Sequence, residues 1–363
     1  MAVTMTNPLI PKSEKKGWPW DSEILPFPRE KQTDSLLPKV TIVTPSYNQG
    51  DFLEETIRSV LLQNYDNIEY IIIDGGSTDN SCEVIQKYSQ WITYWISEPD
   101  DGQASAINKG WSLATGEFIT WLNSDDILLP GSLRLTVDKL MKHPHIGIVY
   151  GNVIVRYEDS AIRHRTYVLK GKPFTIDDIR RRWRNPVPQP GFLMRREVIS
   201  AIGNLDEDMY FAFDFDYWVR AALSNIQMYY LPHSLAQFRV HAGSKSYRYK
   251  LVRIDDKYRI LKKMTKMQNR GYISELADFG CYCAGMIEMM RAEEMEPLAS
   301  LITSKRIVTA LMMDKLNGIM VKLFVLVSVG VLKLWTKALE NLGGKMMRTR
   351  QIVGLCFSKK RVE

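Results

Sequence analysis

The stretch "VTIVTPSYNQGDFLEETIRSVLLQNYDNIEYIIIDGGSTD", residues 40–79, changes texture three times. Residues 40–46 form a short run rich in β-branched residues, the composition of a strand. A polar turn follows, and then Leu53, Ile57, Val60 and Leu61 recur at the spacing of one helical face, with Asp51 and Glu54 resembling a capping pair. "IEYIIID" (68–74) reads as a second strand. In the "GGSTD" turn after it, Ser77, Thr78 or Asp79 is placed to cap a helix through Val84 and Ile85. Strand, turn, helix, strand predicts parallel strands joined by a crossover.

The same unit continues outward. "WITYWIS" (91–97) is a third strand, residues 103–114 a third helix and "GEFITWL" (116–122) a fourth strand. This alternation predicts an α/β fold, a mostly parallel sheet with helices on both faces. Beyond Pro130 the pattern predicts a helix to about Lys142, a strand and hairpin from "IGIVYGNVIV" (146–155), helices near 195–202 and 214–223, and a last strand within 229–246. Residues 1–38 show no periodicity and form an arm whose Trp18 and Trp20 are suited to dock on the domain. The catalytic domain is expected over 39–246, with a basic helical region over 247–363.

In such sheets ligands bind where connecting loops diverge at the carboxyl ends of the strands. Thr44 to Asn48, Asp74 to Ser77, Glu98 to Gly102 and Asn123 to Asp126 all fall there. In "ITWLNSDDILLPG" (119–131) two adjacent carboxylates, Asp125 and Asp126, repel each other at a strand end, so something positive is expected beside them. A divalent cation with phosphate on its far side meets that need, since Mg²⁺ and Mn²⁺ take one or two carboxylates plus water and phosphate. The plainer alternative is that the pair caps the helix starting near Pro130.

With 45% hydrophobic and 25% charged residues over 363 positions, the chain is an ordinary globular protein rather than a disordered one. Its four cysteines, Cys82, Cys281, Cys283 and Cys356, have neither zinc-site pairing nor the density of a secreted disulfide scaffold, which fits a reducing cytoplasm. The N-terminus lacks the apolar core of a secretory signal. The charge is uneven: residues 1–242 hold 25 Lys/Arg against 30 Asp/Glu, net −5, and residues 243–363 hold 23 against 11, net +12. An acidic half suits a cation and a basic half an anionic partner.

"VTIVTPSYNQGDFLEETIRSVLLQNY", "YIIIDGGSTDNS", "SEPDDGQASAINKG", "ATGEFITWLNSDDILLPGSL", "QPGFLMRR" and "FAFDFDYWVRAAL" together resemble, in order, the successive motifs of the family 2 glycosyltransferases, over about residues 38–246. That resemblance implies the GT-A fold, with a Rossmann-like nucleotide-binding half fused to an acceptor-binding half. It also implies transfer of a sugar, of hexosyl type, from a nucleotide-diphosphate donor with inversion. By position, Thr44, Pro45 and Tyr47 would line the nucleoside pocket, Asp74 would contact the base, and Gly75 and Gly76 would let the chain pass close to the ligand. Asp101, Asn108 and Lys109 match the loop near the donor, with Ser105 where relatives often carry Asp. The family's Asp-x-Asp falls on Asn123-Ser124-Asp125. This makes Asp125 the principal ligand of Mn²⁺ or Mg²⁺, with Asn123 nearer the ribose or a bound water and Asp126 able to compensate.

The same resemblance makes Asp214 the catalytic base, leaves Asp216 a structural or acceptor-orienting role, and puts Gln189 and Pro190 on the acceptor side. His241 is a candidate second metal ligand or diphosphate donor, beside the common alternative of a structural histidine. In the basic region, "KLFVLVSVGVLKLW" (322–335) is too short to span a bilayer, which needs about 20 apolar residues. It suits either a helix lying on an anionic membrane surface or one packed on protein. No nucleic-acid module surrounds the charge. The expected protein is thus a cytoplasmic glycosyltransferase, peripheral on the inner membrane face, that acts on a glycan or lipid-linked acceptor in surface polysaccharide synthesis. The alternatives are a degenerate domain that only binds a nucleotide sugar, favoured by Asn123 and Ser105, and a sugar nucleotidyltransferase, opposed by the lack of a glycine-rich basic loop in "TPSYNQGDF".

Overall fold

The computed structural model describes residues 14–20, 37–158, 166–174, 185–245, 256, 259–260 and 263–264, all within the compact unit Met1–Cys281. In chain order the elements are β1 (Val40–Ser46), α1 (Gly50–Leu61), β2 (Ile68–Asp74), α2 (Ser81–Lys87), β3 (Tyr94–Ser97), α3 (Gln103–Leu113) and β4 (Phe118–Trp121). They continue with β5 (Ile127–Leu128), α4 (Ser132–Lys142), β6 (Ile146–Tyr157), β7 (Thr166–Leu169), β8 (Leu193–Arg195), α5 (Glu197–Ile202), α6 (Phe213–Leu223) and β9 (Gln227–Val240). The strands form one sheet in the order β3-β2-β1-β4-β8-β6-β9-β5, with β7 beside β6. Its first four strands are parallel, as the strand–helix alternation requires. From β8 onward antiparallel pairs enter, while the long β9 runs parallel to β6 from Ile146/Gln227 to Tyr157/Val240.

Strand residues alternate between two cores, the period-two signature of a sheet covered on both faces. Val40, Ile42, Tyr70, Ile72 and Phe118 pack with Leu53 and Ile57 of α1, Ile85 of α2 and Leu133 of α4. Val43, Ile71, Ile73, Ile119 and Trp121 pack with Ile107 and Trp111 of α3, Val198 of α5 and Trp218 of α6. Trp121 stacks on Trp218 at 5.8 Å and 7° and meets Phe192 edge-on at 4.5 Å. Such a packed aromatic costs about 3–5 kcal/mol to truncate, so β4 ends on a rigid footing two residues before Asn123.

The ends of α1 and α2 correct one expectation. Asp51 and Glu54 do not form the capping pair; Glu54 instead pairs with Lys87 at 2.7 Å and accepts from Tyr88 Oη at 2.8 Å. The cap comes from the next loop, where Asp79 accepts from Gly50 N–H at 2.9 Å through one oxygen and from Ser81 N–H at 2.9 Å through the other. Partial burial works against that charge, but the donors outweigh it and hold the Asp79 carboxyl below its ordinary range. The two helix starts are pressed together: a Cβ at Gly50 would lie 1.8 Å from Asn80 Oδ1, so any larger residue there must push the Asn80 side chain aside.

The N-terminal arm docks through its tryptophans. Trp18 Nε1 donates to the Leu128 carbonyl at 2.7 Å, and the Arg58 guanidinium lies 5.0 Å from the Trp20 ring centroid. Packing also continues past residue 246, the expected end of the catalytic domain: Ile260 and Met264 are buried in the core built on α3, α5 and α6. Among the described residues, no helix is long and apolar enough to cross a membrane. The 322–335 segment, Cys281, Cys283 and Cys356 lie outside the described residues.

Candidate active site

The loops after β1, β2, β3 and β4 meet at one edge of the sheet. Asp74 is fully buried and accepts from Ser77 N–H at 2.8 Å, Ser77 Oγ at 2.6 Å and Ser97 Oγ at 2.7 Å. Its carboxylate therefore braces the 75–77 loop from inside. Thr44, bonded to Tyr70 Oη at 3.2 Å, and Pro45 are buried at the end of β1, while Tyr47 is 61% exposed and offers its ring to solvent. A Cβ at Gly75 would come within 2.9 Å of Asp100 Oδ2. Asp100, exposed like its neighbour Asp101, is the one that closes that side, with Oδ1 accepting from Gly102 N–H at 2.8 Å. Partial burial of its carboxyl, with the charges of Asp74 and Asp101 close by, lifts Asp100 above its usual range. Asn108 points away, tied to both backbone groups of Leu205 at 3.0 Å and to Glu207 at 2.7 Å, and Lys109 pairs with Glu98.

At the end of β4 the two adjacent aspartates face opposite ways. Asp126 is fully buried and accepts from Asn123 Nδ2 at 3.0 Å and from Arg239 N–H at 3.3 Å. Burial, then the charge of Asp125, push its carboxyl well above the ordinary range, against the pull of Arg239. The positive partner that the pair demanded is in part a protein group: the Arg239 guanidinium, 1% exposed, donates to the Asp125 carbonyl, Glu55, the Phe52 carbonyl at 3.1 Å and Thr56 Oγ1 at 3.2 Å. Asn123 is engaged on both sides, accepting from Gln103 Nε2 at 2.7 Å and donating to Gln189 Oε1 at 3.1 Å. Gln189 in turn donates to the Trp121 carbonyl at 3.1 Å, and Ser124 and Pro190 are buried.

Asp125 turns outward to His241. Its Oδ2 lies 3.2 Å from His241 Nε2, while Gly243 N–H donates to Nδ1 at 3.2 Å and Phe52 packs on the imidazole at 4.2 Å. The tautomer consistent with both contacts carries its proton on Nε2. Two donors bound at right angles to an octahedral ion are about 3 Å apart, so the Asp125–His241 separation suits one Mg²⁺ or Mn²⁺. His241 can join such a site only with its proton on Nδ1, in place of the Gly243 contact. Among the described residues no group of three or more His, Cys, Asp or Glu gathers, so water and phosphate would complete the shell.

Asp214 opens α6 and accepts from Asn185 Nδ2 at 3.1 Å. Asp216 is 1% exposed and sits between Arg220 Nε at 2.7 Å and Lys263 Nζ at 3.0 Å, turned into the protein rather than toward the rim. Lys245, just after β9, lies over the Tyr210 ring at 4.3 Å, where burial pulls its ammonium down to about 8 against the nearby charges of Asp100, Asp256 and Asp125.

Residues 41–203 match the sequence model of the family described as "Glycosyl transferase family 2". An uncharacterized glycosyltransferase of Mycobacterium tuberculosis is 30% identical over 188 residues, which cover 51% of this chain and 70% of that protein. The chain belongs to glycosyl transferase family 2. An uncharacterized glycosyltransferase of Nostoc sp. is 28% identical over 217 residues, covering 57% of this chain and 66% of that protein. The chain thus spans just under two thirds of that relative's length. A mannosyltransferase from Pyrobaculum calidifontis, solved with GDP-Man and Mn²⁺, has a TM-score of 0.48 at 18% identity, covering 84% of this chain and 89% of its own. The parallel β3-β2-β1-β4 half joined to a mixed second half is the family's GT-A arrangement.

For this family 2 chain, sequence reasoning missed Asp100, Arg239 and Lys245. Asp100 stands beside Asp101 in "SEPDDG", and nothing in the pattern ranks one above the other. Arg239 carried a usable signal: it sits between Phe238 and Val240 in a strand two residues before His241, an unusual place for a charge without a buried partner.

Proposed function

We propose that this chain is an inverting, metal-dependent glycosyltransferase of hexosyl type. It moves a sugar from a nucleotide-diphosphate donor to a hydroxyl of a glycan or lipid-linked acceptor, in cell-surface polysaccharide synthesis on the cytoplasmic face of the membrane. The observation that carries the reading is the meeting of Asp125 and His241, from the ends of β4 and β9, at 3.2 Å on the edge where the four loops converge. Tyr47, its ring open for stacking, and Gly75 take the nucleoside end, while the buried Thr44, Pro45 and Asp74 hold the loops behind them. A divalent cation held by Asp125 and His241 supplies counter-charge to the diphosphate. Lys245 adds a second positive charge on that side.

Asp214 is the base in this reading. The helix N-terminus favours its negative charge, and Asn185 holds one oxygen. In this reading the Asp214 carboxylate takes the proton of the acceptor hydroxyl as the new glycosidic bond forms and the nucleotide diphosphate leaves from the opposite face of the sugar. Asp214→Asn is the test. The variant should bind donor nucleotide as the wild type does and lose transfer by about 10²–10⁴-fold; near-normal turnover would put the base elsewhere.

A further inference from the structure

We infer that Asp256, in the basic C-terminal region, is a positioning residue for transfer: its carboxylate fixes the two residues that lead into the helix carrying Asp214 and so sets the direction of that side chain. The inference rests on the reading of Asp214 as the base. The N-cap residue of helix α6 is Ala212, whose methyl side chain can hold nothing, so the entry to the helix is fixed from elsewhere. Asp256 supplies the acceptor from more than 40 positions away in the sequence, one oxygen accepting from Phe211 N–H at 2.7 Å and Ala212 N–H at 3.0 Å. It is 4% exposed, so these donors are bound inside the protein rather than by solvent.

The grip has a second point. Lys263 donates to Asp216 Oδ1 at 3.0 Å and to Asp206, so the turn that bears Asp214 is held two residues before it and two residues after it. Arg220 takes the other Asp216 oxygen at 2.7 Å, which leaves that turn little freedom to rotate. Asp256, Ile260, Lys263 and Met264 are helical and spaced as one face. Ile260 at 0% and Met264 at 1% exposure anchor that face in the core shared with Phe213 and Trp218. The region that adds the positive charge to this chain therefore also supplies the negative charge that seats its catalytic helix. Asn108 and Lys263 together fix the 205–207 loop leading into that helix. A displacement of about 1 Å in a catalytic group costs about 10²-fold in rate, so a loosened helix entry is read in kcat rather than in donor binding.

The test compares Asp256→Ala with Asp256→Asn in the full chain. It follows Mn²⁺-dependent binding of UDP, GDP and dTDP, diphosphate release from the matching sugar nucleotide, and hydrogen exchange at Phe211 and Ala212. Asp256→Ala should exchange faster at both amides and keep nucleotide affinity within about twofold while kcat falls about 10- to 100-fold. Asp256→Asn, whose amide oxygen still accepts from both N–H groups, should restore kcat to within about fivefold of wild type. Lys263→Met, which loosens the same turn from its other end, should repeat the kcat loss without the change in affinity and serves where Asp256→Ala does not fold. Normal kcat in Asp256→Ala, a parallel fall in nucleotide affinity, or an Asp256→Asn protein as slow as the Ala variant would each overturn the inference. Wild-type protein that releases no diphosphate from any of the three donors would overturn the transferase reading, and the inference with it.

Discussion

Replacing Arg239 by Met tests whether a protein cation, and not only a metal, holds the aspartate pair. Arg239 is 1% exposed, and its guanidinium lies 5.0 Å from the Phe52 ring centroid while serving Glu55, two carbonyls and Thr56 Oγ1. Met fills much of the stem's volume but leaves the Glu55 carboxylate, whose side chain is only 20% exposed, without its partner. Breaking a buried pair costs about 3–5 kcal/mol, and the residual water at Glu55 places this one near 3 kcal/mol. For a domain of about 200 residues, each kcal/mol moves Tm by about 2–4 °C, so circular dichroism melts should fall by about 6–12 °C. Arg239→Lys keeps the charge but not the fork of donors and should lie between the two. The Asp125 carbonyl loses its anchor in both variants, so Mn²⁺-dependent nucleotide binding should weaken alongside stability. A Tm within about 2 °C of wild type for Arg239→Met would refute the reasoning, since it would put the whole network below about 1 kcal/mol.

The two neighbouring acids should separate cleanly. Asp125→Asn should lose Mn²⁺-dependent nucleotide binding by at least about tenfold in calorimetry, while Asp126→Asn stays within about threefold of wild type, because only Asp125 faces outward. The Asp126 carboxyl is raised in the folded state, so its contribution is present below its unfolded value of 3.8 and is lost as pH rises toward the folded value. The Tm of Asp126→Asn should accordingly gain on wild type as pH is raised from about 4 to about 7; a constant gap would count against it. Metal-free diphosphate affinity should fall as pH rises through about 8, where Lys245 loses its proton, and Lys245→Met should flatten that profile. A wild-type profile with no step there would remove Lys245 from the diphosphate side.

The parallel half of the fold was legible because each strand and helix from Val40 to Trp121 is local and strongly patterned. The pairing of β9 with β6 was not, since it joins strands about 80 residues apart through backbone hydrogen bonds that the side-chain pattern does not record. Asp125 stood out because two adjacent carboxylates at a strand end are costly unless something positive meets them, whereas Asp214 and His241 were picked out by their positions in the family's motifs. The directions of side chains were not visible: Asp125 and Asp126 are adjacent in sequence and opposite in space. Asp79 was legible as a candidate cap of α2, but its second bond, to Gly50 of α1, was not, because it depends on the contact between two helix starts. Asp256 and Lys263 were hidden for a different reason. They lie in a basic run whose charges suggest a solvated face, and only the spacing of Asp256, Ile260, Lys263 and Met264 along one helical stripe signals an inward side.

The most direct test of the central claim is a screen of the purified full-length chain against UDP-, GDP- and dTDP-sugars, with and without Mn²⁺. Thermal shift and released nucleotide diphosphate would be followed in the same samples. A nucleotide-sugar transferase predicts stabilisation by one nucleotide that requires the cation, together with slow release of its diphosphate that Asp214→Asn abolishes. Stabilisation without any release, even with lipid-linked acceptors present, would contradict that claim and leave a protein that binds a nucleotide sugar without turning it over.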